Sequence, residues 1–339
     1  MDRGKEVSIK KKEEVIMARK VASEMSFERV AKHFPVEKEE KILTMDKPVI
    51  IESACPGWQI GGERFPAIPC TIEEQVKEIV DSVKAGAVCI HVHPRDPKTC
   101  VAQVDDYLLK QVLDPIFDQV DCVTLNHTWL PKEEVDYISL TDKLLKLGKG
   151  NKYCQGVVVL PIGYTSLTGA FHSRESVTEG VKWLEAHDVK PRYELYDTHT
   201  IFSVKNNLID TNISTWKPYI MPAHLGKHSS HAIHKDPWSY LNVITTVNII
   251  KETVPDSILG VNAGGRNWLP ILVLGLLMGA QFFRVGIEDQ YWLYPHKDQI
   301  IKKNSDVVKL TVDIAQLLGR RVVTDANEAR EILGMKLTS

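Results

Sequence analysis

Two histidines and a distant glutamate carry the first chemical suggestion. Residues 87–96 read Ala-Val-Cys-Ile-His-Val-His-Pro-Arg-Asp, and residues 282–289 read Phe-Phe-Arg-Val-Gly-Ile-Glu-Asp. In an extended strand alternate side chains share a face, so Cys89, His91 and His93 point one way and Val88, Ile90 and Val92 the other. The same alternation groups Arg284, Gly286 and Glu288 against Phe283, Val285 and Ile287. Neutral imidazoles at His91 and His93 with the Glu288 carboxylate form a donor set for zinc that leaves a position open, and iron accepts the same set. An isolated His-x-His is more readily a pair of hydrogen-bonded core residues. Here both stand at the C-terminal end of a strand that Pro94 stops. The elements that carry the two segments must then bring them together.

Those elements follow a rhythm that begins at residue 47. Strands are predicted at Pro48–Ser53, Ala87–His93, Cys122–Asn126, Gly156–Leu160, Arg192–Tyr196, Tyr219–Ala223, Ile258–Asn262 and Gln281–Gly286. Amphipathic stretches separate them. Thr71 and Glu74 form a capping box before Val76, Ile79 and Val83, with Gly86 at the C-cap. Ser173 opens a stretch with Val177, Val181 and Leu184 at helical spacing, and Asp236-Pro237 starts another. Eight β-then-α units suit a (β/α)8 TIM barrel, a fold of about 250 residues. An open doubly wound sheet would carry a glycine fingerprint after its first strand, where this chain has Ser53-Ala-Cys-Pro-Gly57. In a closed barrel strands two and eight both flank strand one. They lie roughly two spacings of ~4.8 Å apart, close enough for His91, His93 and Glu288 to converge. The reading is one barrel domain over 47–339, preceded by a charged extension, 1–46, with Val15, Ile16, Val21 and Met25 on one helical face.

Composition narrows the function classes. Of 339 residues 43% are hydrophobic and 25% charged, with a net charge of -2. That balance argues against general attraction to nucleic acid. The longest apolar run, Leu269–Phe283, is too short to span a bilayer and reads as a buried helix entering a buried strand. No signal peptide is expected at the charged N-terminus. Cys55, Cys70, Cys89, Cys100, Cys122 and Cys154 show no C-x-x-C spacing and are expected to be free, in a reducing, cytoplasmic setting.

The runs Ile90-His-Val-His-Pro-Arg-Asp-Pro97, Asn262-Ala-Gly-Gly-Arg266 and Arg284-Val-Gly-Ile-Glu-Asp289 occur in one order with the ending Ala326-Asn-Glu-Ala-Arg-Glu-Ile-Leu-Gly334. Together they resemble the β-keto acid cleavage enzymes over residues 47 to 335. The resemblance implies a zinc-dependent barrel, assembled as a homo-oligomer, that exchanges acyl groups between a β-keto acid and acetyl-CoA to give acetoacetate and a new acyl-CoA. It places zinc on His91, His93 and Glu288 and catalytic roles on Arg284, Asp289 and Glu194, the last in Pro191-Arg-Tyr-Glu-Leu-Tyr-Asp197. Asp289 would remove the proton between the two carbonyls, Arg284 would orient it, and Glu194 would hold substrate or relay a proton. No Cys or Ser nucleophile is required.

Gly264, Gly265 and Arg266 follow strand seven and precede a helix, a setting that favours the phosphates of acetyl-CoA. The family's glycine turn after strand three is replaced by Asn126-His-Thr-Trp129, which puts His127 and Thr128 where the substrate carboxylate is held. His224, His228 and His231 read as a polar loop. Two alternatives stay open: an amidohydrolase-like metal-dependent hydrolase, and a catalytically silent barrel that binds a small acid.

Overall fold

A computed structural model describes residues 3–24, 38–58, 65–126, 136–164, 171–226 and 238–338. The chain forms two compact units, 1–43 and 44–339. The first contains helix α1, Arg3–Glu24, on which Val15, Ile16 and Val21 are exposed. Met25 lies outside the described residues.

In the second unit the short apolar segments pair side by side because each must satisfy its backbone away from water. The barrel strands are β1 (Ile50–Ala54), β2 (Cys89–His91), β3 (Val123–Asn126), β4 (Gly156–Val159), β5 (Lys190–Tyr193), β6 (Tyr219–Gly226), β7 (Ser257–Gly264) and β8 (Phe282–Val285). All pair in parallel, each with its sequence neighbour, and β1 closes the ring by pairing with both β2 and β8. Glu52 thereby faces Cys89 on one side and Arg284 on the other. This is the TIM-barrel fold that the βα rhythm predicts. A two-stranded ribbon, Gly163–Tyr164 with Phe171–His172, stands apart from it after β4.

Helices run between the strands and cover the outer face. Helix α2, Ile72–Lys84, starts at the Thr71–Glu74 capping box and presents Val76, Ile79 and Val80 to the core. Its C-cap is Ala85, and Gly86 follows with a φ of 117°. Helix α3 is Asp106–Phe117, α4 is Ser139–Gly148, and α5, Arg174–Ala186, is capped by Ser173. Thr198–Val204, Trp238–Thr253, Trp268–Leu277 and Asn304–Leu317 make α6 to α9. The Asp236-Pro237 start lies outside the described residues. Helix α10, Ala326–Leu333, sets Ala326, Ala329 and Leu333 against Ile50, Cys89, Val123, Ile220, Ile258 and Phe282. That apolar plug fills the floor of the barrel, so the polar residues of the interior gather at the opposite, C-terminal mouth.

Several boundaries differ from the sequence reading. Strand β2 is only three residues long, so His93 lies beyond it. Strands β6 and β7 run on to Gly226 and Gly264 as a paired ladder, with His224 opposite Asn262. His224 is therefore a strand residue that is 2% exposed, and the loop reading is corrected. His228 and His231 lie outside the described residues. The expectation of six free cysteines is also corrected: Cys70 and Cys100 form a disulfide, while Cys55, Cys89, Cys122 and Cys154 are free and buried. The two bonded residues come from loops after adjacent strands, a proximity that spacing in the chain does not reveal. Among the described residues no helix is long and apolar enough to cross a membrane.

Candidate active site

The three predicted ligands meet at the mouth. One donor atom from each of His91, His93 and Glu288 lies within 4.8 Å of the others, and all three residues are buried. The two Nε2 atoms are 3.0 Å apart. Glu288 reaches His91 Nε2 with Oε2 and His93 Nε2 with Oε1, each at 3.6 Å. Ligand atoms about 2.0–2.1 Å from a tetrahedral ion stand roughly 3.3 Å from one another, within this spread.

The surroundings fit a cation. His91 Nδ1 donates to the Leu125 carbonyl oxygen at 2.6 Å, which leaves the Nε2 lone pair aimed at His93 and Glu288. This is the arrangement by which metal-binding histidines are usually oriented. Burial, then the positive charges of Arg284 and Arg95, lower His93 to about 3, so its ring is neutral and available as a ligand. A divalent ion would also relieve the negative charge around Arg284. That single guanidinium serves Glu288 (2.9 Å), Asp289 (2.7 Å) and Glu194 (3.8 Å).

Local backbone explains why Glu288 arrives here. Strand β8 ends at Val285, and Gly286, at φ 146°, turns the chain in a position where a Cβ would lie 2.3 Å from the Ala54 carbonyl oxygen. The backbone amides of Asp289 and Gln290 both donate to the Gly286 oxygen, closing the turn. Glu288 then packs on Gly57, and Gly57 O accepts from Arg95 Nη2 at 2.6 Å. Arg284 holds Asp289 through two bonds, Nε to Oδ2 at 2.7 Å and Nη2 to Oδ1 at 3.2 Å. Such a fork fixes the carboxylate plane.

A sequence profile described as beta-keto acid cleavage enzyme matches residues 48–335. The chain belongs to the β-keto acid cleavage enzyme family. The 3-keto-5-aminohexanoate cleavage enzyme of Fusobacterium nucleatum is 27% identical over 300 residues, covering 86% of this chain and 99% of that protein. The 3-dehydrocarnitine:acetyl-CoA trimethylamine transferase of Rhizobium meliloti is 22% identical over 311 residues, covering 86% and 98%. The 3-oxoadipate:acetyl-CoA acetyltransferase of Cupriavidus necator is 23% identical over 305 residues, covering 86% and 96%. Among solved structures, ObcA in a binary complex with oxaloacetate superposes with a TM-score of 0.66 at 15% identity, over 80% of this chain and 68% of that one, a likeness of fold. Membership in the β-keto acid cleavage family sets aside the hydrolase alternative and makes the chain an enzyme.

The remaining predicted residues of this family member fall as follows. Glu194, 3% exposed, points inward from just beyond β5, with Tyr196 Oη donating to its Oε2 at 2.9 Å and His224 Nε2 3.0 Å from its Oε1. Burial and the Glu194 charge push the Tyr196 phenol well above its usual range, so it remains a donor. Gly264 ends β7, and Gly265 follows at φ 74° with its amide on the Asp289 oxygen. Arg266 stacks on Trp292 at 4.1 Å and pairs with Asp298 at 2.7 Å. His127 and Thr128 lie outside the described residues.

Three residues escape the sequence reading. Glu52 and Arg192, both fully buried, pair across the barrel at 3.1 Å beneath the ligands. Burial raises Glu52 to about 7, against the lowering pull of Arg192 and Arg284. Arg95, 1% exposed, braces Gly57. The available signal was a charged residue in the middle of an apolar strand, as in Ile50-Ile-Glu-Ser-Ala54.

Proposed function

We propose that this enzyme transfers the acyl group of a β-keto acid to CoA, taking acetyl-CoA as co-substrate and releasing acetoacetate. We further propose that it does so with a divalent ion, zinc, held by His91, His93 and Glu288. The observation that carries the reading is the convergence of those three donors beside the Arg284–Asp289 fork. The relatives named as acetyl-CoA-dependent transferases support the co-substrate.

When bound, the ion would supply Lewis acidity to a substrate carbonyl oxygen. The chain's own residues do the rest. Asp289 takes the proton between the two carbonyls of the substrate, with Arg284 fixing the carboxylate that receives it. Glu194, held by Tyr196 and His224, faces the same interior and positions the substrate or passes on a proton. The free cysteines are not the nucleophile: Cys55 and Cys89 are buried, and burial holds both thiols well above their usual range. The glycine turn at Gly264 and Gly265, with Arg266, receives the CoA phosphates ahead of α8. His127 and Thr128 take the substrate carboxylate.

The test combines metal analysis with acetoacetate formation from acetyl-CoA and a panel of β-keto acids. Asp289→Asn keeps its metal and loses at least about a hundredfold in turnover, in line with removal of a general base. Near-native rates in that variant remove Asp289 from the role. Acetoacetate formation that does not depend on acetyl-CoA refutes the reaction.

A further inference from the structure

The ladder between β6 and β7 sets His224 directly opposite Asn262, and the His224 amide donates to Leu195 O at 2.7 Å, which draws β6 alongside the residue after Glu194. These backbone bonds put three polar side chains in contact inside the barrel. His224 Nε2 lies 3.0 Å from Glu194 Oε1 and 2.7 Å from the Asn262 side-chain amide. All three residues are buried.

The chemistry of those contacts decides where the imidazole carries a proton. Glu194 Oε1 also has Arg284 Nη1 at 3.8 Å and Arg192 Nη2 at 3.9 Å, two positive groups that attract a carboxylate oxygen. A carboxylate oxygen 3.0 Å from a ring nitrogen is repelled by a lone pair and attracted by an N–H. The amide of Asn262 adapts, because its oxygen and nitrogen exchange places on a half-turn of the side chain. In the orientation shown, Asn262 Oδ1 has no hydrogen-bond partner among the described residues. The half-turn brings that oxygen to Nε2, where it accepts a hydrogen bond. Both oxygens then converge on one N–H.

We infer that His224, protonated on Nε2 and anchored by Asn262, is a positioning residue that holds the Glu194 side chain aimed at the substrate. The inference rests on the acyl-transfer reading for its kinetic consequence, although the contact itself does not. Tyr196 donates to the other oxygen, Oε2, so the carboxylate is held from both sides and loses its freedom to turn. In this arrangement His224 exchanges no proton with substrate. It acts through Glu194.

The experiment has a spectroscopic and a kinetic arm. Long-range proton–nitrogen NMR on protein carrying ¹⁵N-histidine, with the His224 signal assigned by its loss in His224→Phe, reads the ring directly. A protonated Nε2 that shifts in Glu194→Gln supports the contact, and a ring protonated on Nδ1 alone overturns it. For kinetics, His224→Phe keeps a planar ring without the donor and lowers kcat/KM roughly ten- to hundredfold, the usual loss for a hydrogen bond to a charged group. His224→Gln, whose amide nitrogen lies at a similar reach, recovers most of that loss. In a Glu194→Gln background His224→Phe costs less than about twofold more, because residues acting through one contact are not additive. An equal loss in both backgrounds, or native activity in His224→Phe, overturns the positioning role. Failure of the acyl-transfer reading looks different: the native chain shows no turnover while the Nε2 proton signature stands.

Discussion

Replacing Gly57 by alanine tests the proposed metal centre without touching a proposed ligand. A Cβ at Gly57 would lie 2.4 Å from Glu288 Cβ, 2.6 Å from its Cγ and 2.8 Å from its Cα. Carbon atoms rest at about 3.5–4.0 Å, so Glu288 and the Gly57 loop must separate by about 1 Å. Arg95 opposes movement of the loop, since its Nη2 grips Gly57 O at 2.6 Å. Metal–ligand distances tolerate only about 0.2 Å, so a retreat of that size takes the carboxylate off the ion. Loss of an outer-shell partner already weakens a metal site by about 10- to 100-fold. Displacing a direct ligand lowers affinity by at least about 100-fold, or roughly 2.8 kcal/mol at 1.4 kcal/mol per tenfold.

Strain must be separated from displacement, because Gly57 has a φ of 85° and a left-handed alanine costs about 1–2 kcal/mol. Gly319 supplies the control: its φ is 76°, and a Cβ there would meet nothing within 4 Å. Both variants lose a few degrees of Tm, but only Gly57→Ala gives up zinc to a competing chelator at lower chelator concentration. Folded Gly57→Ala with native zinc affinity refutes the reasoning.

Two further outcomes follow from other parts of the fold. Glu52 rises from 4.5 to about 7 on folding, so the folded state binds more protons across that window and stability falls as pH increases through it. Glu52→Gln removes this dependence, and its unfolding free energy gains on the native chain by up to about 3 kcal/mol between pH 4.5 and 7; a difference that stays constant with pH refutes it. The Cys70–Cys100 bond leaves four thiols to react in denatured, unreduced protein and six after reduction. Reduction opens a crosslink spanning 30 residues and lowers stability by about 3–4 kcal/mol on the chain-entropy account. Six reactive thiols before reduction refute the pairing.

Strand alternation grouped the three donors that meet at the mouth, by a partly different route from the one the fold takes. His91 and Glu288 were grouped by parity with His93 and Arg284, yet β2 stops at His91 and β8 at Val285. His93 reaches the candidate ion site from irregular backbone beyond β2, and Glu288 reaches it from a turn. Gly286, wedged against Ala54, redirects the chain so that residue 288 still faces inward. Arg284 and Asp289, five residues apart, were legible as neighbours, whereas their two-bonded fork depends on that same turn.

Residue types and their order determined the βα rhythm, the barrel, the capping box at Thr71 and which three side chains could donate to an ion, because these follow from local periodicity and from side-chain chemistry. Closure of the ring decided everything that joins distant segments: Glu52 beside Arg192, His224 against Glu194 and Cys70 on Cys100. Such contacts arise from which strands become neighbours and how far each ladder runs. Spacing along a chain cannot encode a distance across a barrel until the backbone hydrogen bonds have set its register.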